Sequence, residues 1–301
     1  QTLLDIKNLT VHFDSQTSPI INNISLRINT GETLGLAGAS GSGKSLTALA
    51  LMDLLPMNCQ RQGLIQFKDQ ILTDLSPPQW RKLKGQNMAL VFQEPMTALN
   101  PVQTIGRQIA EMLILHSRLN RSQRQQRIRR LLIDVQLDAD IYSRYPHQLS
   151  GGQKQRAVIA MAVACQPDLL ICDEPTTALD VTTQAHIIQL LKHLQQKYGM
   201  AMLFISHDLA VMAQVADRIA VMQQGQIVEN ADTGRLIQQP KTDYTRRLLA
   251  AAGLKTVHDK QHKIEPTALL QTHNLTVCFK STTSLFHSRQ FNAVDQAKAI
   301  K

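Results

Sequence analysis

The sequence has 301 residues, of which 43% are hydrophobic and 18% charged, and its formal net charge is +9. This length suits one large domain or two ordinary ones, and the apolar content is ample for a core. A basic balance is compatible with nucleic acid, an anionic membrane surface or nucleotide binding. Aromatic residues make up 4%, which argues against base-stacking platforms and so against a nucleic-acid partner. Six arginines between Arg118 and Arg130 predict a solvated helix face.

The four cysteines, Cys59, Cys165, Cys172 and Cys278, have no metal-ligand spacing. They predict a reducing, cytosolic environment without disulfides. No signal peptide is recognised. The longest apolar run, Ala157–Cys165, is far shorter than the ~20 residues of a membrane span. Any membrane role is therefore expected to come through partners.

In chain order, apolar runs bounded by turn residues predict a series of strands. They are Leu3–Phe13, Ile20–Ile28, Glu32–Ala37, Leu64–Phe67, Ile71–Leu72, Met88–Phe92, Asp168–Cys172, Ala201–Ile205, Ile219–Met222 and Gln226–Glu229. The first two are expected to pair antiparallel, and the last two to form a hairpin. Helical patterns cover Leu46–Leu55, much of Glu94–Gln148, a segment after Gln153, and Thr182–Tyr198. Strands that alternate with helices favour an α/β core with a largely parallel sheet.

Between the third strand and the first helix lies GASGSGKS, which fits the phosphate-binding loop G-x-x-x-x-G-K-[ST]. The residues expected to bind nucleotide are Gly38, Ala39, Ser40, Gly41, Ser42, Gly43, Lys44 and Ser45. The glycines let the backbone curl, so that N–H groups reach phosphate oxygens beside a helix N-terminus. Lys44 is expected to reach the β- and γ-phosphates, and Ser45 to bind Mg²⁺. The loop predicts a nucleoside triphosphate site.

Two acidic residues, Asp173 and Glu174, follow the buried strand that ends at Cys172. Together with the phosphate loop, Asp173 is expected to hold Mg²⁺ or its waters opposite Ser45. Glu174 is expected to face a water near the γ-phosphate and to act as general base. The pair predicts a nucleotide site that also hydrolyses.

A second anion site is predicted at the LSGGQ stretch, Leu149–Gln153. A serine, two glycines and a glutamine that open a helix offer backbone N–H groups and a positive dipole end. The residues concerned are Ser150, Gly151, Gly152 and Gln153. Because one triphosphate needs one phosphate cradle, two cradles suggest that a second copy closes over the nucleotide.

These motifs resemble those of the ATP-binding subunits of ABC transporters over almost the whole chain. The resemblance implies that Gln93 links Mg²⁺ to the membrane partner and that Asp180 belongs to a loop facing the second subunit. It further implies that His207 is a switch histidine at the γ-phosphate and that Phe13 stacks on adenine. The implied fold is an α/β P-loop NTPase core of ABC ATPase type, with a small antiparallel β-subdomain and an inserted helical subdomain at about 94–148.

A closer similarity is to the peptide and nickel importer branch. It is carried by Val91–Pro101, Tyr145–Gln153, Asp173–Asp180 and Tyr244–Leu249. Lys154 departs from the commoner arginine. Many members have a tail cysteine cluster that binds an iron–sulfur centre, and with only Cys278 in the tail no such cluster is expected here.

The eleven residues Leu269–Phe279 repeat those of Leu3–Phe13, with seven identical positions. Internal repetition indicates a repeated unit. The sequence therefore predicts an ABC ATPase domain over 1–253, a linker over 254–266, and the start of a second ATPase domain over 267–301. This layout resembles fused tandem ATPases for microcin or peptide uptake.

The resemblance implies an ATPase that uses ATP and Mg²⁺ and powers an importer by ATP-sandwich dimerisation. Its expected partners are transmembrane permease subunits, a second ATPase domain (fused, or in a homo- or heterodimer) and, indirectly, a periplasmic binding protein. The expected location is peripheral, on the cytoplasmic face of the bacterial inner membrane. Peptide is the cargo that the resemblance favours, while nickel, glutathione and antimicrobial peptides stay open.

Two other functions fit the nucleotide site. A soluble ATPase of the same superfamily can act on ribosomes or nucleic acid. Against this, translation factors resembling this chain have Asn-His-Leu-Asp where Thr177–Asp180 reads TALD, and they join their halves by a long charged linker. The other is a degenerate regulatory domain. The presence of every catalytic motif argues against it.

Overall fold

The computed structural model describes residues 1–15, 18–92, 98–177 and 179–254, all within one compact unit, Gln1–Asp259. Gln93 lies outside these residues, as do the linker beyond Leu254 and the predicted second domain. The strands are β1 Thr2–Phe13, β2 Ile21–Asn29, β3 Thr33–Ala37, β4 Cys59–Phe67, β5 Gln70–Ile71, β6 Met88–Val91, β7 Leu169–Asp173, β8 Ala201–Ser206, β9 Arg218–Gln223 and β10 Gln226–Asp232.

The α-helices of the described part lie mostly between strands of the core. They are α1 Lys44–Leu51, α2 Pro77–Leu83, α3 Ile105–His116, α4 Arg121–Asp134, α5 Gly151–Ala162, α6 Val181–Tyr198, α7 Leu209–Val215, α8 Thr233–Gln238 and α9 Asp243–Ala251. Short 3-10 helices occupy Leu72–Asp74, Ala139–Ser143 and Pro146–Gln148. Within the described ranges, no helix has both the length and the apolarity that a membrane crossing needs.

The described strands form two sheets. One is antiparallel, in the order β2-β1-β4-β5, and the other has the order β10-β9-β3-β8-β7-β6. In the second sheet all neighbours are parallel except the β9–β10 hairpin. Every residue of β3, β7 and β8 is buried, as expected for parallel strands covered on both faces. The predicted α/β core and antiparallel subdomain are confirmed.

The register of the parallel strands brings the predicted site to one edge. Ala37 at the end of β3 pairs with Ser206 at the end of β8, and Asp173 at the end of β7 pairs with Ile205. Ligands of open α/β sheets bind outside the carboxyl ends of their strands. The phosphate loop, the acidic pair and His207 therefore leave the sheet at the same edge.

Two predicted elements differ from the structure by several residues, and four helices were missed. Helix α1 ends at Leu51 rather than Leu55, because Leu54 N donates to Leu49 O while Asp53 has a positive φ of 50°, a stop of the Schellman kind. Strand β4 begins at Cys59, five residues before the predicted start, because its polar first half pairs with β1. Helices α2, α7, α8 and α9 were not predicted.

The segment between β6 and α5 contains the predicted helices. Apolar side chains of α3 and α4 are buried in the larger core cluster, where they meet residues of α5 and α6. They include Ile105, Ile109, Leu113, Ile128, Leu131 and Leu132. Among the arginines, Arg118, Arg121, Arg129 and Arg130 are exposed, so most of the basic run is the solvated face that the sequence indicated.

A buried acidic group ties α4 to α6. Asp134 is 4% exposed at its side chain and accepts hydrogen bonds from Lys197 Nζ at 2.5 Å and Tyr198 Oη at 2.6 Å. The ring of Tyr198 also lies 5.3 Å from the Arg127 guanidinium. Burial alone would raise the pKa of Asp134, but the hydrogen bonds from Lys197 and Tyr198, together with the charges of Lys197 and Arg127, lower the pKa. Its contribution to stability is therefore present at neutral pH and is lost as pH falls through the lowered pKa.

We expect Asp134→Asn to lower the free energy of unfolding by about 1–3 kcal/mol, because it replaces one of the two accepting oxygens by an NH₂ donor and removes the charge that faces Lys197. Urea unfolding of the 301-residue chain measures this, with Asp69→Asn on an exposed turn as the charge-matched control. Equal unfolding midpoints for the two variants would show that the buried group does not tie α4 to α6.

Candidate functional site

The phosphate loop follows β3 and curls back before α1. Gly43 precedes α1 with a φ of 105°, a conformation that favours glycine. A side chain at Gly38 would place its Cβ 2.3 Å from the carbonyl oxygen of Met222. The loop therefore packs against β9. The buried Ser42 hydroxyl makes no hydrogen bond to any other described residue.

Lys44 fills the centre of this loop. Its Nζ donates to Gly38 O and to Ala39 O, both at 2.9 Å, and the residue is 5% exposed. Burial lowers the pKa of Lys44, while the nearby carboxylates of Glu174 and Asp173 raise it. The ammonium group is thus held at the loop with negative charge nearby.

Ser45 and Asp173 meet across the site, as the motifs predicted. Ser45 Oγ donates to Asp173 Oδ1 at 3.0 Å, although the residues are 128 positions apart. Burial raises the pKa of Asp173, and repulsion by Glu174 adds to this, whereas Ser45 and Lys44 oppose it. A hydroxyl and a carboxylate are oxygen ligands of the kind that Mg²⁺ prefers, so this pair fits the ion. No cluster of three or more His, Cys, Asp or Glu suited to a metal occurs in the described part.

Glu174 lies at the turn after β7 with a positive φ of 46°. Its N–H donates to Ile205 O at 3.0 Å, and its carboxylate accepts from Thr177 Oγ1 at 2.7 Å. The Nδ1 of His207 lies 3.2 Å from Glu174 Oε1. Burial would raise the pKa of Glu174, but the bonds from Thr177 and His207 lower it. The carboxylate therefore stays ionised at neutral pH.

Lys44, Ser45, Glu174 and His207 line one cavity of about 730 Å³, and Asp173 adjoins it through its hydrogen bond with Ser45. The other loop residues in its lining are Ala39, Ser40, Gly41 and Gly43. Phe13 and Ile20 line the same cavity, and they offer an apolar surface beside the phosphate loop. The predicted positions of Phe13 and His207 are thus brought to the loop, whereas Gln93 lies outside the described residues.

The LSGGQ residues lie elsewhere. Ser150 is the N-cap of α5, where its Oγ accepts from Gln153 N, and the Gln153 side chain accepts from Ser150 N. A Cβ at Gly152 would lie 2.8 Å from the Thr183 side chain, so α5 and α6 begin in close contact. Three of these residues line a separate cavity of about 220 Å³. Within the described residues, none of the LSGGQ group lines the cavity of the phosphate loop.

Asp180 also lies outside the phosphate-loop cavity. It is the N-cap of α6, and its carboxylate accepts from Thr183 N at 3.0 Å and from Thr183 Oγ1 at 2.7 Å. These bonds lower the pKa of Asp180. The structure therefore places Asp180 beside the LSGGQ residues rather than beside Lys44.

Two contacts of the site were missed at the sequence level. Ile20 lines the cavity, and Tyr244 Oη accepts a hydrogen bond from Ala39 N at 3.0 Å. Tyr244 belongs to the YTRRLL stretch, but no spacing in the sequence relates it to a loop 205 positions earlier.

The sequence profile of the ABC transporter family matches residues 21–177, more than half of the chain. The chain belongs to the ABC transporter family. The match covers the phosphate loop, the LSGGQ stretch and the acidic pair. The predicted family and fold class are therefore confirmed.

Relatives with high identity carry an importer name. The chain is 47% identical over 253 residues to the glutathione import ATP-binding protein GsiA of Salmonella choleraesuis (strain SC-B67), covering 81% of this chain and 41% of that protein. Identity to GsiA of Escherichia coli (strain K12) is 46% over 263 residues, covering 83% and 42%. The chain thus spans about two fifths of the length of these relatives.

Solved structures share the fold. The ATP-binding cassette MJ0796, in a dimeric post-hydrolysis state bound to ADP and Pi, is 28% identical with a TM-score of 0.68, covering 77% of this chain and 99% of that chain. For cbiO1 of Clostridium perfringens, part of the ABC transporter complex cbiONQ, the TM-score is 0.70 at 24% identity, covering 78% and 90%. The second likeness supports the fold alone.

Proposed function

We propose that residues 1–253 form an ATPase domain that binds ATP with Mg²⁺ and powers import of peptides or related small solutes. The observation that carries this proposal is that Lys44, Ser45 and Glu174 line one cavity, with Asp173 hydrogen-bonded to Ser45. Lys44 and Ser45 open α1, Asp173 ends β7, and Glu174 follows it directly. A triphosphate, a divalent cation and a general base can all be accommodated there.

In this proposal the loop from Gly38 to Ser45 cradles the phosphates, with Lys44 on the β- and γ-phosphates. Phe13 and Ile20 contact the adenine base, since both line the cavity beside the loop. Ser45 and Asp173 hold Mg²⁺, as their paired oxygens favour. Bound Mg²⁺ would neutralise the charge that develops on the phosphate oxygens. Gln93 is proposed, from the family resemblance, as a further Mg²⁺ contact.

Glu174 is proposed as the general base and His207 as its positioning partner at the γ-phosphate. The 3.2 Å separation of His207 Nδ1 from Glu174 Oε1 supports a joint role. Because the pKa of Glu174 is lowered, the carboxylate is available to accept a proton from water at neutral pH.

We propose that a second ATPase domain completes each site. Ser150 and Gln153 lie away from the phosphate loop of their own chain, yet they open a helix whose N-terminus suits an anion. Asp180 lies beside them and belongs to the same facing surface. The MJ0796 cassette is dimeric in its post-hydrolysis state with ADP and Pi, which is compatible with closure by a partner.

Import and its partners are inferred from relatives. The GsiA proteins are glutathione import ATP-binding proteins, so glutathione and short peptides are the solute class proposed here. The proposed partners are transmembrane permease subunits and, indirectly, a periplasmic binding protein, with the ATPase at the cytoplasmic face of the inner membrane. The repeat at Leu269–Phe279 supports a second ATPase domain that begins near residue 267.

The solution mass of Glu174→Gln tests the proposal, because this variant is expected to keep ATP intact. With Mg-ATP we expect the mass to rise from that of one chain, 33.6 kDa, to twice that value. With Mg-ADP we expect one chain only. Adding Ser150→Arg should abolish the ATP-dependent dimer while leaving ATP binding in place, because the long side chain blocks the facing surface.

Two outcomes would contradict the proposal in different ways. A variant that fails to bind ATP would contradict the nucleotide site itself. A variant that binds ATP but stays at the mass of one chain would contradict closure by a second copy of this domain.

A further inference from the structure

The peptide unit between Gly38 and Ala39 is held from both sides. Its carbonyl oxygen, Gly38 O, accepts from Lys44 Nζ at 2.9 Å. Its N–H, on Ala39, donates to Tyr244 Oη at 3.0 Å. Because a peptide unit is planar, an orientation imposed on the N–H is also imposed on the carbonyl group. Tyr244 and Lys44 therefore act on one rigid group at the entrance of the phosphate loop.

Tyr244 reaches the loop from a firmly anchored helix. It lies in the first turn of α9, and its side chain packs against the larger core cluster. The segment before α9 is fixed by Glu229 on β10, which is 7% exposed and accepts from Lys241 N at 2.9 Å and Thr242 N at 3.2 Å. Leu249, later in α9, is fully buried. The position of the Tyr244 hydroxyl is thus fixed by β10 and by the core packing of α9, and not by the phosphate loop.

The loop needs such an outside contact at this point. Ala39 and Ser40 are exposed, so without Tyr244 the N–H of Ala39 would bond to water, and this peptide unit would keep only the contact of its carbonyl oxygen with Lys44 among the side-chain bonds of the described residues. Within the described residues, Lys44 Nζ donates to Gly38 O, which is buried, and to Ala39 O at the exposed residue that follows it. A change in the orientation of the Gly38–Ala39 peptide would therefore move a carbonyl oxygen that accepts a hydrogen bond from the Lys44 ammonium group.

We propose that Tyr244 is a positioning residue that sets ATP affinity by orienting the Gly38–Ala39 peptide beneath Lys44. This inference rests on the proposed ATP-binding function. Tyr244 does not line the nucleotide cavity, so it acts on the nucleotide through the loop. Glu174 and His207 are positioned from β7 and β8, so the hydrolytic step itself does not depend on Tyr244.

The test is Tyr244→Phe in the full 301-residue chain, because phenylalanine keeps the ring packing and removes only the hydroxyl. We expect the Kd for ATP and for a non-hydrolysable ATP analogue to rise about two- to tenfold, the range for one net hydrogen bond. The KM for ATP should rise by the same factor and kcat should change less than about twofold. The melting temperature without nucleotide should be unchanged. Tyr142→Phe, outside the cavity, is the matched control.

A double-variant cycle locates the effect. Ala39→Pro removes the N–H that Tyr244 accepts, and Ala39 is not among the residues with positive φ. In the Ala39→Pro background we expect Tyr244→Phe to cause no further loss of affinity.

An unchanged Kd in the single variant Tyr244→Phe would overturn the inference. A fall in kcat at constant Kd, or an equal loss of affinity in the Ala39→Pro background, would overturn it too. ATP binding by the unaltered chain is measured first. If the unaltered chain does not bind ATP, the proposed function fails, and the inference about Tyr244 is not the cause.

Discussion

Lys44→Ala is expected to weaken ATP binding by about 10²-fold or more, the largest loss of affinity expected from any single change in the loop. Its ammonium group rests on Gly38 O and Ala39 O and lies near Asp173 and Glu174, which raise its pKa against the effect of burial. Hydrogen bonds that involve a charged group contribute about 1.5–3 kcal/mol each. Alanine removes the proposed contact with the phosphates and the positive charge near Asp173 and Glu174.

Titration with a fluorescent ATP analogue, in the presence of Mg²⁺, measures this loss. Lys82→Ala is the matched control because Lys82 is exposed on α2, and it should bind as the unaltered chain does. The ligand-free melting temperature of Lys44→Ala shows whether the domain stays folded. An affinity that stays within a few-fold of the control would be incompatible with a phosphate site at this loop.

The core of the fold was predictable because its signals are local. The strands β3, β7 and β8 are continuous apolar runs, and such runs indicate strands covered on both faces. The phosphate loop and the acidic pair are short motifs with known neighbours along the chain. Once parallel strands are assumed, their carboxyl ends must lie at one edge, so Ser45 and Asp173 were expected to meet.

The elements that were missed depend on interactions between distant residues. The first half of β4 is polar, and it is a strand because Phe13 pairs with Cys59 and Val11 with Arg61. Helix α1 stops where Asp53 takes a left-handed conformation, although the apolar pattern continues past it. Hydrophobic periodicity does not report either effect, since tertiary contacts override local preference.

The site itself was predicted only in part for the same reason. Sequence reasoning placed Lys44, Asp173 and Glu174 together because each belongs to a recognised motif. The contact between Tyr244 and Ala39 joins residues 205 positions apart, and it follows from how Glu229 fixes the start of α9. A relation of this kind becomes visible only when the packing is known.

The geometry around Glu174 separates binding from hydrolysis. Its carboxylate lies at the cavity and accepts from Thr177 Oγ1, with His207 Nδ1 at 3.2 Å from its other oxygen. Lys44 and residues of the phosphate loop line the same cavity, and in the proposed function they, rather than Glu174, contact the phosphates. A change that removes only the negative charge of Glu174 should therefore leave the nucleotide contacts of the loop intact.

We expect Glu174→Gln to reduce the rate of ATP hydrolysis by about 10²–10⁴-fold, the range for loss of a general base, with the Kd for ATP within about threefold of the unaltered chain. The amide keeps the shape of the side chain but cannot accept a proton from water. Release of inorganic phosphate measures the rate, and Glu111→Gln, exposed on α3, is the matched control. Because hydrogen bonds from Thr177 and His207 hold the pKa of Glu174 below its ordinary range, the unaltered chain should keep this base at neutral pH and lose it only under acidic conditions. Full hydrolytic activity in Glu174→Gln would remove Glu174 from the mechanism and would leave His207 as the residue to examine as the proton acceptor.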